Sequence, residues 1–348
     1  MESLPEPLLP EEPASPACRN CGQAHAQLMG RNQLCPECYQ GFVKYPIPMW
    51  IKAFGGGLLL VLIFSLSSLS DNFTTGIHFK RGEMAKRKKN YLTAENEFAK
   101  VVKREPSYTE AKLQLLMAAY NNHDFPTVAA TYSKLVNEQI TDEDLLSEVS
   151  STLSSAASYY PSDSLAAYLE KHGNDISSIP ETGLRDYLSH HSNEPYAMFA
   201  LASRLFDEKK LTSADSMLNE MLLADSLQYN ALCLKAPLKR EMGQMDSSYY
   251  YSDKLLSINH EDTYALATKS RSLLKAKRDK EALEAALQST RLNPKDGYAQ
   301  ASLALVYHFL HEEAKRDAII KQVEADTSGA SYLSYVKDVI EGKESFRN

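Results

Sequence analysis

The chain has 348 residues, 43% of them hydrophobic and 24% charged, which excludes a wholly disordered chain and allows an extensive buried core. A formal net charge of -7 argues against a general nucleic-acid binder. The charge is uneven, because residues 80–104 hold nine Lys/Arg against three Asp/Glu, whereas residues from 105 onward hold 25 against 36.

Residues 1–16, MESLPEPLLPEEPASP, are rich in Pro and Glu and lack a basic n-region, so they read as a disordered acidic tail and not as a cleavable signal. Of the five cysteines, four precede residue 40, a clustering that indicates local chemistry and not a disulfide framework. Cys18 and Cys21, then Cys35 and Cys38, form two C-x2-C pairs within residues 17–45. Two residues between cysteines let both thiolates face one ion from a tight turn, and two such turns complete a tetrahedral sulfur site. A redox dithiol is the alternative for paired C-x2-C motifs. The turns resemble the knuckles of the zinc-ribbon family, with Gly22 matching the Gly that often follows the second cysteine and Tyr39 departing from it. The resemblance implies structural Zn2+ on Cys18, Cys21, Cys35 and Cys38. With all four positions filled, the ion has no open site for catalysis. His25 is an alternative ligand, or a surface residue of the intervening hairpin. Arg19 and Arg31 alone make a poor footprint for a polyanion, so a protein contact suits this module better.

The prolines of the linker Tyr45-Pro46-Ile47-Pro48 favour an extended path. The run from Ala53 to Leu69, AFGGGLLLVLIFSLSSL, is 17 residues without a charge, flanked by Trp50 and Lys52, and predicts a transmembrane helix over 50–70. A buried core helix and a late signal peptide cleaved after Ser68-Leu69-Ser70 are the alternatives. Lys44 and Lys52 on the near side favour a cytoplasmic N-terminus, as does a reducing compartment for the four thiols, while the basic stretch from Lys80 to Lys89 pulls the other way. The expected topology is single-pass, with the remainder of the chain extracytoplasmic; in a bacterium the membrane is the cytoplasmic one.

A 34-residue beat runs through the last part of the chain, with equivalent positions at Pro195, Tyr229, Thr263 and Gly297. Such a period means an array of helix pairs. Thr75 to Tyr108 shows the unit best, with Gly82 and Ala85 on a first helix, Tyr91 after the turn, Ala94, Phe98 and Val101 on a second, and Pro106 ending it. These positions resemble the tetratricopeptide repeat (TPR) family. The same frame fits from Thr109, where Val128 replaces the small residue, from Pro195, more weakly from Tyr229, where Ser248 and Ser252 intrude, and from Thr263 and Gly297. The expected fold is all-α: TPR repeats over 75–142 and 195–330, divergent helical hairpins over 143–194 that bend the solenoid or divide two arrays, and a capping helix with a tail over 331–348.

By the family resemblance, first helices line a concave groove, which here holds Tyr196, Phe199, Phe206, Asn230, Arg240, Tyr264, Arg271, Lys275, Tyr298 and His308. Aromatic rings among Arg and Lys suit an extended peptide carrying carboxylates. The plainer alternative is that the tyrosines only pack against neighbouring helices. The Lys/Asn pattern of the carboxylate-clamp TPR proteins is not reproduced. Pro237 falls inside a first helix, where it should kink the chain. Lys80, Arg81, Lys86, Arg87, Lys88 and Lys89 suit anionic headgroups or a solvated helix face.

The sequence has no Gly-rich phosphate loop, H-E-x-x-H pair or G-x-S-x-G elbow, so no enzyme activity and no small-molecule substrate are expected. His308 and His311 lack a third ligand, and the sequon at Asn72 lies almost at the apolar run. The reading is a membrane-anchored TPR scaffold that binds a protein partner. The alternatives are a regulator that relays partner binding to the zinc ribbon and, further off, a zinc-dependent nucleic-acid binder.

Overall fold

The computed structural model describes residues 16–24, 26–29, 32–43, 47–136, 138, 140, 142–325 and 330–347, with the side chains of 29, 66–72 and 330 not described. The acidic tail up to residue 15, His25, Arg31 and Lys44 therefore lie outside the described residues. The chain divides into Met1–Asn72 and Phe73–Asn348.

In the first unit, β1 (Gln27–Met29) pairs antiparallel with β2 (Asn32–Leu34), Leu28 opposite Gln33, and α1 (Pro36–Val43) follows. These strands form a hairpin between the two cysteine pairs. Next, α2 (Met49–Arg87) runs unbroken from the apolar run into the first helix of the first repeat. Its residues 53–65 are exposed on every side, including Leu60, Val61 and Phe64. Among the described residues no helix is long and apolar enough to cross a membrane. The expected span covers 50–70, and the side chains of its residues 66–70 are not described.

The second unit is built of helices among its described residues. The end of α2 packs with α3 (Tyr91–Arg104), and α4 (Thr109–Asn121) with α5 (Phe125–Leu135). After an interruption come α9 (Pro195–Asp207) and α10 (Leu211–Ala224), α11 (Tyr229–Glu241) and α12 (Met245–Ile258), α13 (Thr263–Lys275) and α14 (Asp279–Leu292), then α15 (Gly297–Phe309) and α16 (Glu313–Ala325). First helices begin at 195, 229, 263 and 297 and second helices at 211, 245, 279 and 313, so each keeps the 34-residue step. Helix pairs repeating at that step, each packed on the next, make a TPR-like solenoid. Helix α17 (Ala330–Ile340) covers its end, and the tail beyond it is tied back by Arg347, whose guanidinium donates to the Leu274 carbonyl at 2.6 Å and pairs with Asp279.

Small residues sit where paired helices cross. Ala202, Ala236, Ser270 and Ala304 on first helices, and Ala94, Ala214, Ser248 and Ala282 on second helices, are all 0% exposed. Ser248, which weakens the repeat pattern in sequence, donates to the Ala236 carbonyl at 2.7 Å and bonds Ser272 Oγ at 2.8 Å. Ser270 likewise donates to the Ala282 carbonyl at 2.8 Å. A hydroxyl that bonds the facing helix meets the packing need of an alanine without leaving a buried donor orphaned.

The turn inside each pair demands a left-handed residue. Lys89, His123, Lys209, Gly243, Lys277 and His311 have φ of 56°, 60°, 60°, 77°, 61° and 58°. In every case the next amide reaches back to the carbonyl five residues earlier, for instance Arg278 to Leu273 at 2.9 Å and Lys210 to Leu205 at 2.8 Å. This is a Schellman closure, which satisfies carbonyls at the helix end. A non-glycine there carries strain of about 1–2 kcal/mol, partly offset by glycine's larger unfolded-state entropy. Lys277→Gly is accordingly expected to stabilise the chain by about 0.5–1 kcal/mol in urea unfolding, whereas glycine within α14 at the exposed Lys280 should destabilise it by about as much.

Residues 143–194 form α6 (Glu143–Ala157), α7 (Asp163–Glu170), a 3-10 turn (Ile176–Ser178) and α8 (Glu181–His190). Val149 of α6 joins the core of α4 and α5, whereas Leu165 and Leu169 of α7 join that of α8 to α11, so the core divides between α6 and α7. Across that division the solenoid closes on itself. The Tyr91 amide donates to Asn259 Oδ1 at 3.2 Å, the Thr93 amide and hydroxyl each reach Glu261 at 2.7 Å, and the His260 amide reaches the Lys89 carbonyl at 2.9 Å. His123 stacks on Tyr229 at 3.2 Å between ring centroids, and the Tyr229 amide donates to Tyr159 Oη at 3.1 Å. No spacing or composition signal announces this seam.

Candidate functional site

The four cysteines of the first unit converge. Their sulfurs lie within 4.8 Å of one another, with Cys21 and Cys35 Sγ 3.7 Å apart. Tetrahedral zinc with bonds of about 2.3 Å needs sulfurs about 3.8 Å apart, so the set fits the ion, and the separation is too long for a disulfide. Two local devices aim them. Gly22 takes φ +74° and its amide donates to the Cys18 carbonyl at 2.8 Å, closing the first knuckle. At the second, Cys35 immediately precedes α1 and its sulfur accepts from the Cys38 amide at 3.4 Å. Tyr39, which follows Cys38, lies within α1, because this knuckle runs straight into a helix. The amides of Cys35 and Cys21 hold the Cys18 thiol down at about 6, whereas Cys35, despite the Cys38 amide, is pushed up to about 12 by burial and the neighbouring sulfurs. The donor set suits a thiophilic divalent ion that replaces protons on crowded sulfurs.

In the solenoid, part of the expected groove set comes together. Tyr264 and Tyr298 stack at 5.0 Å, and the Arg271 guanidinium lies 4.3 Å from the Tyr298 ring centre while Nε donates to Ser302 Oγ at 2.8 Å. Arg240 and Lys275 both reach Glu241, at 3.2 and 3.4 Å. Arg240 and Arg271 are only 7% and 6% exposed, and Arg240 Nη1 and Arg271 Nη2 have no hydrogen-bond partner. Burial alone would raise the Tyr298 hydroxyl; Arg271 and Arg240 outweigh it and hold the group below its ordinary range. Pro237 lies within α11, which continues through it, and leaves the Cys233 carbonyl without its helical donor; Tyr264 Oη faces that carbonyl at 3.4 Å.

The other expected residues stand apart from this cluster. Tyr196, Phe199 and Phe206 are half-buried against the α7–α11 core, Asn230 is half-buried near the start of α11, and His308 sits beside Arg316 at 3.5 Å. In the basic stretch, Lys86 bonds Glu148 at 2.7 Å, Lys80 bonds Glu83 at 3.1 Å and Lys89 bonds the Ser257 carbonyl at 3.0 Å, while Arg81, Arg87 and Lys88 are exposed. Two of these cations thus serve tertiary structure.

The seam adds titratable groups the sequence gave no reason to join. Glu95 accepts from Asn122 Nδ2 at 2.7 Å and is raised by burial from 4.5 to about 7. Burial also raises Asp262 to about 6 and pushes His123 down to about 3. A carboxyl raised on folding stabilises the fold fully below its unfolded value, and this contribution is lost as pH rises through the folded one. Glu95→Gln should therefore flatten the decline in melting temperature between about pH 4.5 and pH 7. An unchanged slope would mean that Glu95 titrates normally.

No protein-family model matches the sequence, and no curated protein matches it. Solved structures similar to the chain include MamA from Desulfovibrio magneticus, 12% identical, covering 52% of this chain and 94% of that one with a TM-score of 0.36. A tetratricopeptide repeat protein from Parabacteroides merdae is 12% identical, covering 76% and 99% with a TM-score of 0.40. YrrB, described as a TPR protein with an unusual peptide-binding site, is 12% identical, covering 69% and 97% with a TM-score of 0.32. The solenoid assignment rests on the 34-residue geometry of the helices themselves.

Proposed function

We propose that the protein is a single-pass, membrane-anchored TPR scaffold that holds a protein partner on its first-helix surface, with a structural zinc ribbon on the cytoplasmic side and the solenoid outside. The observation that carries the partner reading is the Arg240–Tyr264–Arg271–Tyr298 cluster, where two guanidinium nitrogens lack partners among stacked rings. Carboxylates of an extended peptide match such groups in geometry and charge. Both nitrogens are buried, so a carboxylate reaches them only once the side chains over them shift. The anchor is supported by residues 53–65 of α2, whose described apolar side chains are exposed on every side of the helix.

Photo-crosslinkers at Tyr196, Phe199 and Lys275, compared with one at the exposed Tyr250 of α12, test the surface. Discrete adducts from the first-helix positions alone support it; adducts from Tyr250 alone, or none, overturn it. Protease shaving of intact and permeabilised cells with tags at both ends tests topology. Cleavage of only the C-terminal tag in intact cells supports an external solenoid, and protection of that tag until permeabilisation places the solenoid in the cytosol.

A further inference from the structure

The seam forms an open cavity of about 600 Å3 between α3, the α4–α5 turn and the starts of α11 and α13. Glu95, Asp124 and Asp262 bring three carboxylates to its wall, against one ammonium, that of Lys295. Asp124 and Asp262 are helix caps, accepting from the Thr127 amide at 3.1 Å and the Ala265 amide at 2.9 Å. Glu95 accepts from the Asn122 amide and faces the carboxylate of Asp124, so it is a half-buried carboxyl held against a like charge with no cation beside it. The His123 ring forms part of the wall, and neither of its nitrogens has a hydrogen-bond partner.

These features specify the ligand's chemistry. The volume lies within the roughly 300–1,000 Å3 of organic ligand sites. Glu95, Asp124 and Asp262 do not converge as a three-ligand group for a bare metal ion; among the described residues only the cysteines do. The cation must therefore be larger and carry an apolar body, for which Leu92, Leu292 and Pro294 supply aliphatic wall. We propose that this cavity binds a primary alkylammonium group, with Glu95 as its counter-ion and Asp124 and Asp262 adding negative potential. The group has two sources, a lysine side chain on a partner peptide and a free aliphatic diamine. The proposal does not depend on the Arg240–Tyr298 surface, and either can fail without the other.

Ionised Glu95 is the binding form, so affinity should rise with pH. Asp262 titrates in the same direction; His123, pushed down by burial, and Tyr229 and Tyr264, pushed up by it, stay neutral across this range, and Asp124 and Lys295 face the same space. From about pH 6 to about pH 8 the gain should be about tenfold, the change in the ionised fraction of a carboxyl titrating at about 7.

Isothermal titration of the full chain with Nα-acetyl-lysine N-methylamide, cadaverine and the uncharged Nα-acetyl-norleucine N-methylamide tests this. Expected are saturable binding of an ammonium probe and none of the norleucine amide, a loss of about tenfold or more in Glu95→Gln, and tighter binding in Lys295→Met, which removes the competing cation. The tightening variant separates a binding role for Glu95 from mere disruption of the seam. Binding of the lysine amide alone assigns a peptide, and binding of cadaverine alone a free amine. Equal binding of the norleucine amide, no binding of either ammonium at millimolar concentration, or Lys295→Met weakening the interaction overturns the proposal.

Discussion

Replacing Cys35 by serine is expected to abolish metal binding by the full chain and to unfold the β1–β2–α1 module. Among the described residues of that module, Cys18, Ala26 and Cys35 are buried, with Leu34 and Cys38 partly covered. Leu28 and Phe42 are 73% and 67% exposed, so the apolar side chains present do not form a core. So small a unit cannot hold together by apolar burial, and a structural zinc supplies roughly 10–16 kcal/mol of apparent binding energy that appears as folding energy. Serine keeps the volume of the side chain and loses the soft thiolate. The expected result is one bound zinc falling to none, with loss of the hairpin's amide dispersion in NMR spectra, while Cys233→Ser retains both. A module that stays folded after exhaustive chelation would exclude the structural role.

The second large effect is at the first helix crossing. Phe98 is 0% exposed, and a Cβ added to Gly82 would lie 2.7 Å from its Cε1. Phe98→Ala is expected to cost about 3–5 kcal/mol, the range for a buried aromatic replaced by a cavity. Gly82→Ala is a contest between about 1 kcal/mol of gained helix propensity and about 1–3 kcal/mol of overpacking against a ring that is already enclosed. In the wild-type background overpacking should win. In the Phe98→Ala background the added methyl meets empty space, so the same substitution should stabilise by about 1 kcal/mol. A double-mutant cycle in urea reads this change of sign directly. Additive effects would show that the two residues do not touch.

The helix pairs are legible because their small and bulky positions repeat at a fixed step, and the cysteine site is legible because two short turns dictate it. Both rest on local spacing. The seam is invisible for the opposite reason: Thr93 and Glu261, or His123 and Tyr229, become neighbours only through the summed rotation of intervening pairs, which no window of sequence displays. Arg240 and Arg271 belong to an intermediate case. Their position on first helices can be read from the repeat frame, but not their interaction with Tyr298, which lies two repeats from Arg240 and one from Arg271. Ser248 and Ser252 show the limit of residue-type matching, since Ser248 bonds the facing helix while Ser252 Oγ has no partner. The left-handed turns were hidden by lysines and histidines at sites where glycine is the usual signal.

An open solenoid folds as a chain of near neighbours, so its ends can fray without disturbing the middle. The bonds from Lys89, Tyr91 and Thr93 to Ser257, Asn259 and Glu261 span 168 residues each and remove that independence. Closure raises the contact order, so the last steps of folding wait on a large loop, and the first repeat gains protection from the fourth. Cutting the array at any point inside that loop should therefore weaken both sides of the seam, and the repeats that it joins should melt together where an open array would melt piecemeal.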